Sequence, residues 1–554
     1  MIVRNILTGF VLLMFLCNCK KNNQSANNPS GNLTVTSISV NDSTSGNYIF
    51  YNVRNNPTIK IHFSQPIDKS TVSGNITLMS ATTNVPLGST FSNNDSVLIV
   101  QTSSPLKSIT YYIFRIATGI KSTSGGTLQS LYVAYLTTQI DTTNKFPIIS
   151  DSALLTLVQQ QTFKYFWDFG HPVSGMARER NTSGDVVTTG GSGFGVMAIL
   201  VGIKRNFVAR PDALARITQI VNFLSTKAQR YHGAFPHWMD GTTGATIPFS
   251  DNDDGADIVE TSYMMQGLLC ARQYFNSTTD AGEIALRNTI DTLWNGVDWN
   301  WFRQGGQNVL YWHWSPDKGW IMNVQIRGWN EALITYVLAA SSNTDSIPSI
   351  VYSNGWAQNG AIKNGNLYYG IQLSLGVPYG GPLFFAHYSF LGINPNGLSD
   401  AYANYWTQNV AHSTINYDYC VANPLHFNGY NSNCWGLTAS DENNGYSAHA
   451  PGNDDGVISP TAAISSLPYT PTQSMNALHF FYYKLGDKIW GTYGFVDAFN
   501  LSNIWFANSY LAIDQGPEIV MIENYRSGML WNLFMSCPEV KRGMHNLGFS
   551  SPYL

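Results

Sequence analysis

The sequence predicts a multidomain chain in which an N-terminal all-β sandwich of immunoglobulin-like type precedes an all-α domain, its helical hairpins closed into an (α/α)6 toroid. Three observations predict it. From residue 33 to 140, apolar residues alternate with polar ones in short runs separated by Asn, Gly, Ser and Pro, the period-2 mark of strands. From residue 151 to 554 the period becomes helical, and long loops dense in Gly, Trp, Tyr, His, Asp and Asn lie between the apolar stretches. Loops of that length in a compact domain usually carry function. The third observation is composition. Charged residues make up 12% and aromatics 13%, where an ordinary globular protein is about 25% charged. A neutral, aromatic-rich surface suits uncharged ligands such as sugars. The net charge of -4, with no basic tract in the mature body, leaves no footprint for nucleic acid.

The elements follow in order. Residues 1–19 hold an apolar stretch from Ile6 to Leu16, then Cys17, Asn18 and Cys19 before Lys20 and Lys21, a secretory signal ending in cysteine. With Leu16 three places before Cys19, it resembles a bacterial lipoprotein box. Lipidation is expected at Cys19, with Cys17 as the alternative, and a plain cleaved signal with incidental cysteines is the bland reading. The chain is then lipid-anchored, at the periplasmic or outer-membrane surface of a Gram-negative bacterium. Residues 20–32 are a flexible tether rich in Asn, Ser and Gly.

In the sandwich, residues 33–140, the runs Thr58–Phe63, Ser96–Val100 and Thr110–Arg115 alternate at sandwich spacing. The stretches IHFSQPIDKSTVSGNITL (61–78) and 119–128 resemble the bacterial Ig-like domains that precede many surface enzymes. With no cluster of acids or histidines, this module reads as a spacer or partner-contact domain; a carbohydrate-binding module is the alternative. A linker covers 141–150. Helical spacing then places Leu154, Leu155, Val158, Phe163, Phe166 and Trp167 on one helix, Ala198, Leu200 and Val201 on another, and Ile217, Ile220, Val221 and Leu224 on a third. It extends to 258–274, 283–294, 331–341, 399–414 and 472–485. None of the cysteines of the mature body falls in a C-x-x-C pair, so no zinc or redox motif is present. Cys420 and Cys434 are either a disulfide or independent buried thiols.

The loops carry strings that are specific. FKYFWDF, HPVSGMARERN, GGSGFGVMAI, YHGAFPHWMDG, DIVETSYMMQGLL, YWHWSP, GWNEALITYVLAASS, GGPLFFAHYSFLG, CWGLTASD, PTAAISSLPYTP, YGFVDAFN and AIDQGPEIVMIENYRSG occur in that order between Leu154 and Phe549. Together they resemble the bacterial glycoamylase-like domain, and within it glycoside hydrolase family 144, the β-1,2-glucanases. The resemblance implies an (α/α)6 fold, hydrolysis of β-1,2-linked glucan with inversion, a neutral polysaccharide or oligosaccharide as substrate, and neither metal nor cofactor. Endo cleavage and exo release of sophorose both stay open, as do a homodimer and action on another β-glucoside. A non-catalytic glycan-binding lipoprotein on the same frame is the competing reading.

Splitting an acetal with inversion needs a carboxylic acid for the leaving oxygen and a carboxylate for water on the opposite face. Asp257 and Glu260, three apart at the start of an apolar helix, project on one face, and Glu331 opens another helix beside Trp329. An indole lowers local polarity and raises a carboxyl pKa. The NEALI string places the family's sugar-facing glutamate on Glu331, expected as general acid; Asp257 or Glu260 then holds the water. Acids in a first helical turn are equally well explained as caps. Sugar rings pack on aromatic faces while their hydroxyls need paired partners. The expected contacts are His237, Trp238, Trp312, Trp314, His387, Tyr388, Trp435, Asp441, Glu442, Tyr446 and His449, some of the tryptophans being core. Arg178, Glu179 and Arg180 read as a charged lattice under the site, and His313 as a further hydroxyl partner. Asp251-Asn-Asp-Asp-Gly255 lacks the spacing of a calcium loop and reads as a polar cleft loop. The glycines of Gly190–Gly195 read as a tight turn or a close backbone approach to sugar.

Overall fold

The computed structural model describes residues 31–81 and 83–554. The signal segment with Cys17 and Cys19, and most of the tether, lie outside the described residues. The chain divides into two compact units, one ending at Gln139 and the next beginning at Ile140.

The first unit is a β-sandwich because its apolar residues recur at every second position, making a face that a second sheet must cover. In Thr58–Phe63 the buried residues are Ile59, Ile61 and Phe63. That strand pairs antiparallel with Val35–Val40 and Val97–Thr102 inside a five-stranded sheet. A four-stranded sheet sets Tyr111–Ile116 antiparallel to Tyr132–Thr138 and Ile76–Met79, with Ile49–Val53 parallel to Tyr132–Thr138. Leu33, Ile61, Leu98, Phe114 and Leu136 meet without exposure in one core.

The second unit is helical. Its helices are α1 (Asp151–Trp167), α2 (Thr189–Lys204), α3 (Arg210–Thr226), α4 (Ile258–Tyr274), α5 (Ala281–Asn295) and α6 (Leu333–Ser341). Then follow α7 (Tyr405–Ala422), α8 (Pro460–Ser465), α9 (Pro471–Ile489), α10 (Ala512–Ser527), α11 (Met529–Met535) and α12 (Pro538–Asn546). Side-chain caps start several of them: Ser150 accepts from Ala153 N, Asp280 from Glu283 N and Asn404 from Thr407 N, each satisfying an amide that the helix leaves free. The residues of α2 from Thr189 to Gly202, of α4 from Ile258 to Ala271, and all of α6 are buried. A helix covered on every side must be inner, and the half-buried α3, α5 and α9 lie outside. α2 packs on α4 and α10, α4 on α6, and α8 on α9 and α10.

Two expectations change here. The glycines of Gly190–Gly195 form no turn; they lie buried within α2. A Cβ on Gly193 would stand 2.2 Å from the Tyr263 carbonyl oxygen, and one on Gly267 2.1 Å from that of Gly193, so these glycines let α2 and α4 touch backbone to backbone. α7 starts at Tyr405 rather than 399, behind its Asn404 cap. α8, α10, α11 and α12 were not anticipated; prolines in the strings of α8, α10 and α12 argue against helix. Pro460 sits in the first turn of α8, where its missing N–H costs nothing, and Pro517 is accommodated inside α10. Among the described residues no helix is long and apolar enough to cross a membrane.

Candidate active site

The helical unit holds a cavity of about 440 Å³. The segment entering α2, the loops before α4 and α6, and the hairpin Ala439–Ala448 supply its wall. Of the residues the sequence singles out, Glu179, Arg180, His237, Trp238, Glu260, Trp312, Glu331, Tyr388 and Tyr446 line it.

The acids occupy distinct settings. Asp257 caps α4: its Oδ1 accepts from Val259 N and Glu260 N, both at 2.9 Å, while Oδ2 lies 3.1 Å from His237 Nδ1 and 3.7 Å from His313 Nε2. It is fully buried behind the wall. Burial works to raise its carboxyl, but the His237 hydrogen bond and the two facing imidazoles win, and it titrates below the usual range. Glu260 faces the cavity without capping. Its Oε2 accepts from Gly190 N at 2.6 Å and Thr188 Oγ1 at 3.5 Å, and burial raises its carboxyl. A side chain on Gly190 would collide with that same oxygen.

Glu331 lies in the turn before α6 and does not open the helix; Asn330 Oδ1, not Glu331, accepts from Ala332 N. The Glu331 carbonyl takes the Ser389 hydroxyl, which leaves its carboxyl to the cavity. Burial pushes that carboxyl up to about 7, and the negative charges of Asp257 and Glu260 act in the same direction. Trp329 is not the group responsible. It packs away from the wall against Phe390, Tyr405 and His412, and the apolar surroundings of Glu331 come from the cavity aromatics Tyr263, Phe384 and Tyr388. His237 answers the acids: burial alone would lower it, yet Glu260 and Asp257 bring it up to about 9, a cation at neutral pH. Asp253, in the loop read as a polar cleft, is buried with its carboxyl pushed to about 7 by burial and by Asp257. His237, Asp253 and Asp257 hold possible ligand atoms within 4.8 Å of one another, as do Glu442, His449 and Asp455.

The charged lattice takes a different form from the one expected. Arg180 bridges Glu179 (Nε to Oε2, 2.8 Å) and Asp441 (Nη1 to Oδ1, 3.0 Å). Beneath, Asp441 N donates to Asp497 Oδ2 at 2.6 Å. Burial and the Asp441 charge push Asp497 to about 7, and burial with Asp497 raises Asp514. Arg178 stays outside, stacked over Phe169 with its guanidinium donating to the Gly184 carbonyl. Trp314 packs edge-on against His232. His387 is buried against the Ser466 hydroxyl at 3.0 Å, and Trp435 donates Nε1 to the Gln473 carbonyl from full burial. These side chains, with Glu442 and His449, are absent from the wall, because large aromatics and helix-end polar groups more often complete the core. Cys420 and Cys434, like Cys270 and Cys537, are free buried thiols.

Comparison with known proteins places this geometry. The family model described as "Putative glucoamylase" matches residues 323–538, and that described as "Bacterial Ig-like domain" matches residues 30–138. The structure of an endo-β-1,2-glucanase from Chitinophaga pinensis, in complex with sophorotriose and glucose, is 53% identical, with a TM-score of 0.72, covering 74% of this chain and 100% of that one. The chain belongs to the glycoamylase-like family of the GH144 type. A β-1,2-glucanase of this kind from Parabacteroides distasonis is 36% identical over 94% of this chain and 73% of its own, with a TM-score of 0.70. An exo β-1,2-glucooligosaccharide sophorohydrolase (non-reducing end) from the same species is 45% identical over 422 residues, 72% of this chain; the match spans 58% of that relative's length.

Sequence reasoning missed several cavity residues of this glycoamylase-like domain: Thr188, Phe249, Tyr263, Phe384, Leu511 and Ile513. Phe249 stacks on His237, ring centroids 4.3 Å apart, but nothing in its string marks it out. Asp514 carried a usable mark, an acid inside the apolar AIDQGPEIV string, where an unpaired charge is costly.

Proposed function

We propose that the chain hydrolyses β-1,2-linked glucan or its oligosaccharides with inversion, with Glu331 as general acid. One observation carries the reading: a carboxyl that opens on a sugar-sized, aromatic-walled cavity and is pushed up to about 7 by burial, so that a large fraction of it is protonated at neutral pH. Its Oε–H protonates the leaving glycosidic oxygen as the C–O bond breaks, while a carboxylate on the other face takes a proton from the water whose oxygen bonds to the anomeric carbon; exchange with solvent then restores both groups. Glu260 on the wall, or Asp257 behind it through relayed water, serves as that base; the His237 hydrogen bond helps hold Asp257 below the usual range, and the His237 charge acts against the burial that raises Glu260. Relatives named as endo-β-1,2-glucanase and as sophorohydrolase support the substrate class. The test is incubation of purified protein with linear β-1,2-glucan and sophoro-oligosaccharides, products resolved by thin-layer chromatography. Shortened oligosaccharides or released sophorose are expected; no cleavage across a panel of β-glucans would leave the glycan-binding reading in its place.

We further infer that the inner helices close into a toroid. The contacts run α6 to α4 to α2 to α10 to α8, an arc that such a ring would contain. The Ig-like unit is read as a spacer, and Cys19 as the lipid anchor. Cys19→Ala should move the protein from the membrane pellet to a soluble exported fraction; if Cys17→Ala does so instead, the anchor is Cys17.

A further inference from the structure

The hairpin Ala439–Glu442 and Gly445–Ala448 has two faces. Its register pairs Ala439 with Ala448 and Asp441 with Tyr446, and Ala439, Tyr446 and Ala448 turn toward the cavity. Side chains alternate along a strand, so Glu442 stands on the far face. His449 extends the ladder through its N–H to the Thr438 carbonyl at 3.2 Å and falls on that far face too.

There His449 has no exposed surface, and among the described residues neither Nδ1 nor Nε2 has a hydrogen-bond partner. Burial holds a ring in that position only if something else satisfies it, because native proteins very rarely leave such groups orphaned. What lies within reach is anionic: possible ligand atoms of Glu442, His449 and Asp455 come within 4.8 Å of one another. The loop bearing Asp455 is pinned, with Asn500 Nδ2 donating to the Asp455 carbonyl at 2.9 Å and Asn453 Nδ2 to the Ala448 carbonyl at 3.0 Å. Next to it, Asp454 engages Tyr430 OH and Gly456 N through Oδ1 while Oδ2 is buried without a partner. A ligating histidine commonly hands its second N–H to a carboxylate, and Asp454 offers one.

We propose that Glu442, His449 and Asp455 bind a divalent cation of the first transition row, with Zn²⁺ or Mn²⁺ as the fitting ions. One imidazole with two carboxylates is a mixed nitrogen and oxygen set; Ca²⁺ and Mg²⁺ favour oxygen ligands alone, whereas imidazole favours first-row ions. Asp455 is exposed, so water can complete the shell. The ion ties the hairpin to the Asn453–Gly456 loop and thereby fixes Tyr446 in the cavity wall, a role apart from the acids of the reaction.

The experiment strips the full-length protein with chelator and titrates it separately with ZnCl₂, MnCl₂ and CaCl₂, reading calorimetric binding and melting temperature. One equivalent of Zn²⁺ or Mn²⁺ should bind and raise Tm, and Asp455→Asn should weaken that binding by about 10-fold or more. His449→Gln should do the same wherever it melts cooperatively; Asp455→Asn, at an exposed position, decides the matter if His449→Gln does not fold. The proposal is overturned by no saturable binding of any of the ions, by binding that Asp455→Asn and Glu442→Gln leave unchanged, or by Ca²⁺ binding with Zn²⁺ and Mn²⁺ excluded.

Discussion

The cavity withdraws the Glu331 carboxyl from water and so pushes it up to about 7, which makes its chemistry measurable. Glu331→Gln retains the shape and removes the transferable proton, so hydrolysis of β-1,2-glucan should fall about 100-fold or more. On its proposed role as general acid, kcat/KM of the intact protein should decline as pH rises through about 7, where the Glu331 carboxyl loses its proton. The same shift is a statement about stability. Its folded value lies above the unfolded 4.5, so its stabilising contribution is complete below that unfolded value and is lost as pH rises through about 7. Glu331→Gln should therefore melt no lower than the parent at pH 8 by scanning calorimetry; a lower Tm there would mean that the ionised carboxylate supports the fold. At this scale the sequence was legible where an acid stands against apolar neighbours, as at Glu260 and Glu331. At Asp257 the cap was readable but the pairing with His237 was not, and Phe249 was opaque, because its place depends on a neighbouring ring distant in the chain.

Helix boundaries were readable wherever an apolar stripe met a capping residue, and Ile258–Tyr274 is the clearest case, with Asp257 at its head. They were hidden where proline masked them, as in α8 and α10. The glycine string of α2 misled because a contact between two helix backbones leaves no local mark; the partner glycine, Gly267, is far away in sequence. Gly193→Ala tests that contact. The added Cβ meets the Tyr263 carbonyl at 2.2 Å and must push α2 from α4, costing about 1–3 kcal/mol of overpacking. The shift also carries Gly190 N away from Glu260, so activity should fall with stability. Denaturant midpoints and initial rates, taken together, check both effects; an unchanged midpoint would show that the helices have slack.

For the whole molecule, the change from period 2 to helical period told where sandwich gives way to helices, but not how the segment between behaves. That segment is docked on the helical unit: Lys484 Nζ donates to the Thr142 carbonyl at 2.6 Å, Lys145 N to the Tyr483 carbonyl at 2.7 Å, and Phe146 stacks on Tyr482. A chain starting at Ile140 should fold alone and hydrolyse glucan, because every candidate acid lies beyond that point. A chain starting at Asp151 should melt lower, by several degrees, for want of those contacts. Circular dichroism melts and product analysis of both chains decide this; equal Tm values would make the docking idle. The free thiols give the same molecule a clock. Cys270 lies in α4, Cys420 in α7, Cys434 in the loop beyond it and Cys537 at the head of α12, all shut away from solvent. A thiol reagent can reach each one only when its own surroundings open, so four labelling rates, read peptide by peptide, would rank the order in which regions of the domain breathe.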